Sequence, residues 1–352
     1  MKTQKDIAQA AESGSHTHEV FNQSDALENT NLFEEDRALR EWLSSYAPAA
    51  DRLGLSAYGQ RCGSAEVIGW GFDANEFKPQ FDSHDRFGHR VDQVRFHPAY
   101  HQLMDMALSQ GIHAMPWDGS TANAHVQRAA YSYMQSQVEA GHGCPLTMTF
   151  AAVPTLKLTP SVAEEWLPKV LNRSYEPANK PYFDKQAVTI GMGMTEKQGG
   201  TDVRANTTRA YPVGVGGPGQ AYELVGHKWF CSAPMSDAFL TLAYAEGGLT
   251  CFLVPRWRPD GTRNAIHIMR LKDKLGDRSN ASSEIEYHGA WAQRVGEEGR
   301  GIRTIIDMVQ GTRLDCIAGS AAGMRAALTK AAWHTRHRTA FQRQLADQPA
   351  MR

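Results

Sequence analysis

The sequence is poor in everything that marks a special environment. Its five cysteines, Cys62, Cys144, Cys231, Cys251 and Cys316, are scattered over 352 residues with no CxxC pair. That excludes a disulfide framework, and they read as reduced, mostly buried thiols of a cytosolic protein. No apolar run approaches the roughly 18 residues that span a bilayer, so no membrane partner is expected. The N-terminus is polar and has no apolar signal segment, so the chain is expected in the cytoplasm. The 37 basic and 38 acidic side chains leave a net charge of −1, with no overall pull toward nucleic acid. No repeat, P-loop, HExxH or GxSxG is found. What remains is an ordinary globular composition, 41% hydrophobic and 21% charged, long enough to bury a core.

Charge is nevertheless uneven. Residues 1–50 carry nine acidic and four basic side chains. At the other end Arg325, Lys330, Arg336, Arg338, Arg343 and Arg352 face Asp347 alone over residues 321–352. Residues 1–18 read as a mobile tail. From about Ala38 to Leu171 the period is helical. Val126, Ala129, Ala130, Tyr133, Met134 and Gln137 share one helix face. His97–Gln110 reads as a helix with Pro98 in its first turn and Gly111 as its stop. A linker is expected over Pro168–Pro181.

The pattern then changes. Ala187–Met194, Tyr222–Phe230, Ala238–Ala245, Leu249–Val254, Ala265–Arg270 and Ser283–Tyr287 are short and rich in β-formers. With no long helices between them, these six strands predict an antiparallel barrel or sandwich. After Gly301 one long helix is expected to about Phe341, roughly 60 Å at ~1.5 Å per residue. Its apolar stripe needs a partner. The chain is therefore expected to be cut within a helical domain.

Generic motifs carry little. Gly214-x-Gly216-x-x-Gly219 matches a dinucleotide fingerprint by letter, but a strand follows it and Pro218 interrupts it, so it reads as a hairpin loop. His97 and His101 lie one helical turn apart, yet no carboxylate or cysteine completes a metal set; no metal is assigned. The informative stretch is Ile190–Val203. Its glycines let backbone approach a flat ligand, and Thr195 and Thr201 can bond the edge of a heterocycle. Gly226–Ser232 adds Trp229 as a stacking face and the N–H groups of Phe230–Ser232. Residue types alone leave two readings open, a cofactor pocket or a turn beside an aromatic barrel residue.

Four segments in order tip the balance. Met194–Asp202, Lys228-Trp-Phe, Lys272–Ser279 and the helix from Gly299 that carries Arg313 resemble the acyl-CoA dehydrogenase family of flavoproteins. Val20–Gln23, Asp92–His101, Cys144–Pro154, Leu224–Ser232 and Leu271–Ser282 look like its AidB branch, the adaptive-response proteins induced by DNA alkylation. The resemblance covers about residues 19–352. It implies an α+β multidomain fold: an N-terminal helical domain (19–185), a middle antiparallel β-barrel (186–298) and the start of a C-terminal helical bundle (299–352), usually in a tetramer.

It also implies FAD. Met192, Met194, Thr195, Gly200 and Thr201 would meet the flavin, with Trp229, Phe230, Cys231 and Ser232 on its other side. Cys231 stands where many relatives have Thr. Arg338 and Phe341 match an Arg-x-x-Phe that holds the pyrophosphate and adenine, typically of a neighbouring subunit; Gln342 replaces the usual Gly. The implied substrate is an acyl-CoA thioester or a related small molecule, near Thr195, Ser232 and Arg313. The chemistry resembled is α,β-dehydrogenation with a Glu as base. In most relatives that Glu lies late in the bundle, a position expected downstream of Arg352. In the isovaleryl branch it precedes the Arg matched by Arg313, where this chain has Thr312. No catalytic residue is assigned, and Glu196 and Glu297 read as a turn and a loop residue. The branch adds a DNA partner through a basic extension. Three readings follow: a flavoenzyme that in this chain lacks turnover, a non-enzymatic DNA-protecting flavoprotein, or an inactive gene remnant.

Overall fold

The computed structural model describes residues 18–119 and 121–351. All of the expected tail but His18 lies outside them. The chain forms two compact units, one of residues 29–322 and one pairing the segment up to Glu28 with Gly323 onward.

The larger unit begins with helices α1 (Arg37–Tyr46), α2 (Arg52–Cys62) and α3 (Ala65–Glu76). Asp36, Asp51 and Ser64 cap them by accepting from backbone N–H groups three residues on. α4 (Pro98–Gln110) has the predicted bounds: Pro98 opens it, and Gly111 closes it at φ 78°. α5 (Ala124–Val138), α6 (Gly143–Leu156) and α7 (Pro160–Val170) follow. Leu43, Leu55, Leu103, Met104 and Met134 pack with Tyr58 and Tyr131 in their core.

Three readings fail in this region. The buried face of α5 is Gln127, Arg128, Ala130, Tyr131, Met134 and Gln135, rotated from the apolar face read in the sequence. Arg128 draws the helix round: its guanidinium binds both carboxylate oxygens of Asp315 at 2.6 Å and lies 3.5 Å from the Phe150 ring centroid. The second miss is an antiparallel hairpin, β1 (Gln80–His84) with β2 (Arg90–Arg95). Its strands are too polar to alternate visibly. Its turn is built by Asp85, which accepts from Phe87 and His89 N–H, and by Gly88 at φ 86°. The linker also starts later than expected, because Pro168 sits inside α7.

The barrel comprises β3 (Ile190–Gly193), β4 (Arg209–Pro212), β5 (Ala221–Ser232), β6 (Ala238–Ala245), β7 (Gly248–Pro255), β8 (Ile266–Leu271) and β9 (Ser282–Val295). The order β6-β4-β5-β9-β7 closes through the β6–β7 pairing, with β3 on β6 and β8 on β9. All six predicted strands exist; β4 is the addition. Pairing is antiparallel except that β3 and β4 run parallel to β6. The expected all-antiparallel barrel is thus mixed. The long path from β3 through β4 and β5 brings the chain back to the end where β3 began before β6 starts, and only such a crossover allows a parallel pair. The glycine triplet lies in the β4–β5 loop, with Gly214, Gly216 and Gly219 all at positive φ, so it is a hairpin loop as read.

Helix α8 (Gly301–His337) has 37 residues, about 55 Å at ~1.5 Å each. In the larger unit its buried residues are Gly301, Thr304, Ile305, Met308 and Ala322. Ile305 and Met308 join the core beneath β6 and β7. Leu314 and Ile317 are exposed.

In the smaller unit the end of α8 meets the 18–28 segment. Trp333 Nε1 donates to Asp25 O at 2.8 Å, and Asn22 Oδ1 accepts from Thr339 N at 2.7 Å. The helix stops four residues before the expected Phe341. Thr339–Ala340 and Arg343–Gln344 pair as a two-residue hairpin across Phe341 (φ 51°) and Gln342 (φ 61°). Two successive positive φ values define a type I′ turn, whose second place favours Gly. A glycine would meet less strain than Gln342 does at that second place.

Candidate active site

The segment after β3 is held by one ion pair. Glu196 and Lys228 are fully buried and 2.9 Å apart. Glu196 also accepts from Thr207 N at 2.6 Å, Thr208 Oγ1 at 2.6 Å and Gln198 Nε2 at 2.8 Å. Burial would raise its pKa, but Lys228 and these donors outweigh burial and hold it well below the usual carboxylate range. Lys228 spends a second proton on Leu242 O at 2.8 Å. So Glu196, read as a turn residue, is a structural anchor, too firmly ionised to shuttle a proton.

The anchor sets a corner between two motif segments. Trp229 N donates to Thr195 O at 2.7 Å. The β5–β9 register slips between Lys228 and Cys231, so Trp229 and Phe230 stand outside the ladder, a bulge of the kind that re-aims side chains at sites. Gly200 is required here: a Cβ on it would lie 2.4 Å from Thr195 Oγ1. Among the described residues neither Thr195 Oγ1 nor Trp229 Nε1 has a hydrogen-bond partner, and both side chains are partly exposed. Lys272 Nζ lies 3.3 Å from the Trp229 ring centroid, with Arg270 and Lys197 at 5.5 and 5.8 Å. A flat heterocycle with polar edges fits this corner: two uncommitted polar groups, an aromatic ring and a glycine that keeps the approach open.

The other expected residues divide. Met192 and Met194 are half-buried against the core. Phe230 and Thr201 are exposed. The thiol of Cys231 is fully buried, which pushes its pKa up to about 12. Ser232 Oγ is 3.2 Å from Ser282 Oγ and also meets the Cys144 thiol. Arg313 is exposed on α8, and the hydroxyl of Thr312 donates to Val309 O. Arg338 and Phe341 belong to the smaller unit, where Arg338 donates to Gln23 Oε1 at 2.9 Å and Phe341 is exposed.

Two features escaped sequence reading. The Asp277-Arg-Ser279 turn is tied down by buried Glu139, which accepts from Ser279 Oγ, Asn75 Nδ2, Gly141 N and the His142 ring, all at 2.8 Å. Burial opposes ionisation, yet these bonds lower its pKa to about 2. The second is a recess of about 450 Å³ where α8 begins, lined by Arg204, Arg300 and Arg303 with Tyr244, Ile302 and Ile306. None of these arginines forms an ion pair among the described residues. The sequence offered only Arg300 and Arg303 astride a helix start as a signal. Among the described residues no helix is long and apolar enough to cross a membrane.

Comparison with known proteins agrees with this geometry. Family models match in succession: the adaptive response protein AidB N-terminal domain over 22–177, the acyl-CoA dehydrogenase middle domain over 191–290 and its C-terminal domain over 299–352. The AidB protein of Escherichia coli (strain K12) is 47% identical over 96% of this chain and 62% of its own length. The structure of Caenorhabditis elegans ACDH-11 in complex with C11-CoA superposes with a TM-score of 0.84 at 26% identity, covering 97% of this chain and 59% of that one. A Mycobacterium smegmatis glutaryl-CoA dehydrogenase solved with FADH2 shares the fold at 16% identity and TM-score 0.64, covering 90% of this chain and 70% of that one. The chain thus spans about three fifths of the length of the first two. With an AidB-type helical region leading into a dehydrogenase barrel, the chain belongs to the acyl-CoA dehydrogenase family, in its AidB branch.

Proposed function

We propose that this chain forms the flavin- and thioester-contacting part of an FAD-dependent acyl-CoA dehydrogenase-type oxidoreductase. The observation that carries the reading is the corner at Thr195 and Trp229, two uncommitted polar groups held together by a backbone bond of 2.7 Å. Bound there, FAD would supply the hydride acceptor of an α,β-dehydrogenation. Thr195 and Trp229 would hold the ring's edge, and Met192 and Met194 would keep water from its flank. Arg300 and Arg303 at the start of α8, with Arg204 across the recess, suit the phosphates of a CoA ester, since the helix N-terminus adds to their charge. Ser232 and Arg313 remain the other proposed substrate contacts. Arg338 and Phe341 are proposed to serve FAD across a homotetramer interface, in a cytoplasmic protein.

Glu196 is not the base, because Lys228 and the Thr207–Thr208 donors keep it ionised and buried. The base belongs by this reading to the length of the relatives that this chain does not span. Purified chain should therefore hold flavin yet show no acyl-CoA oxidation. Anaerobic titration with isovaleryl-CoA tests this: flavin bleaching overturns the assignment of the base. Loss of all flavin on gel filtration, with the fold intact, overturns the corner. Salt-sensitive retention of duplex DNA without flavin reduction would favour the DNA-protecting reading instead.

A further inference from the structure

A second cavity, of about 630 Å³, contains none of the residues of that corner. Its walls come from α4, from the segment around Tyr175–Asn179 and from the turn between β5 and β6. That volume is typical of a pocket for one small molecule.

The charges around it are already satisfied. Lys185 Nζ and Asp237 Oδ1, both buried, are 2.7 Å apart. Lys185 also donates to Glu176 O at 3.0 Å, and Asp237 Oδ2 accepts from Thr189 N at 2.9 Å. Arg95, also in the lining, pairs with Asp82 at 2.6 Å. An ionic ligand would find no unmatched charge. The apolar wall is aromatic: Phe96 stacks on Tyr100 with centroids 4.2 Å apart and planes 14° apart. Beside them His101 Nδ1 and Tyr175 OH are 2.7 Å apart and hydrogen-bond each other.

Two fully buried polar atoms in the lining are left over among the described residues. The hydroxyl of Ser236, a residue only 2% exposed, has no hydrogen-bond partner among the described residues, nor does the buried Oδ1 of Asn179. Buried polar groups without partners are uncommon because each forfeits the bonds it made to water. The amide oxygen can only accept, so it calls for a donor; the hydroxyl can take either role.

We propose that this cavity is a binding site for an uncharged, ring-bearing small molecule that carries an N–H or O–H donor, recognised by the Phe96–Tyr100 wall and by Ser236 and Asn179. The site is separate from the flavin corner and stands whether or not that corner holds FAD.

Indole is the test probe, with 1-benzothiophene as its isostere lacking the donor and hexanoate as an anionic chain of similar size. Ligand-observed NMR titration of the full chain reads all three. The expected result is saturable indole binding, weakened about fivefold in Ser236→Ala and by a similar factor on going to benzothiophene, as for one lost hydrogen bond. Ala178→Trp, at an exposed position in the lining, should abolish it, and Trp229→Ala should leave it unchanged. An unchanged thermal transition in each variant confirms that the fold is intact. Absence of saturable indole binding overturns the proposal. So does indole binding indifferent to both Ser236→Ala and Ala178→Trp, displacement of bound flavin by indole, or equal binding of hexanoate.

Discussion

Two buried glutamates, one in the helical region and one in the barrel, hold the motif segments in place with different chemistry. Glu196 in the barrel pairs with a full charge, Lys228, in a site with no exposure. Glu139 in the helical region is held by the His142 ring, a serine, an amide and backbone N–H groups. Each fastens a distant stretch: Glu196 locks the loop after β3 to β5, and Glu139 locks the Asp277–Ser279 turn to the start of α6. The difference lies in what remains if one partner goes. Without Lys228, a buried anion has lost the one cation paired with it among the described residues. Without one donor, Glu139 keeps the others.

The sharpest way to break the comparison is Lys228→Met. Stability should fall by about 3–5 kcal/mol, because an uncompensated buried carboxylate is left behind. Denaturant unfolding measures it, and adding Glu196→Gln should restore much of the loss. No recovery in the double variant would mean the pair is not the anchor. Next in size is the acid limb. Glu139 has its pKa lowered from 4.5 to about 2, so its contribution is complete above pH 4.5 and disappears as pH falls toward 2. At 1.36 kcal/mol per unit this is about 3 kcal/mol. Glu139→Gln should flatten that part of the stability–pH curve while costing about 1.5–3 kcal/mol near neutral pH.

Two smaller effects separate holding the corner from using it. Trp229→Ala removes the aromatic face and should weaken flavin retention about tenfold, within the range of aromatic stacking energies. Equilibrium dialysis reads this, and unchanged flavin stoichiometry would move the ring elsewhere. Thr195→Val should weaken flavin about fivefold with stability unchanged, since its hydroxyl bonds nothing among the described residues. A stability loss comparable to that of Lys228→Met would show that Thr195 belongs to the anchor.

Much of this was legible in the residues. The bounds of α4 follow from Pro98 and Gly111, and the six strands from β-formers between turn residues. The hairpin at the glycine triplet follows from Pro218 and the strand after it. The Thr195 and Trp229 segments stand out by composition. The β1–β2 hairpin was missed because its strands are polar; the other errors turn on partners far away in sequence. Nothing near Arg128 announces Asp315, which buries it and rotates α5. Nothing near Glu139 announces Ser279, 140 residues on.

The sequence by itself therefore determined most of the elements, the ends of α4, the glycine-triplet turn and the family resemblance, because each rests on spacing within about a dozen residues. Only the tertiary structure decided which charges are anchors and which polar groups stay free. It made Glu196, which does open a turn closed by Gly199, a buried strut as well, made β3 and β4 parallel to β6, and left Thr195 Oγ1, Trp229 Nε1 and Ser236 Oγ without hydrogen-bond partners among the described residues. Those outcomes depend on burial and on which chain segments meet, and neither is encoded locally.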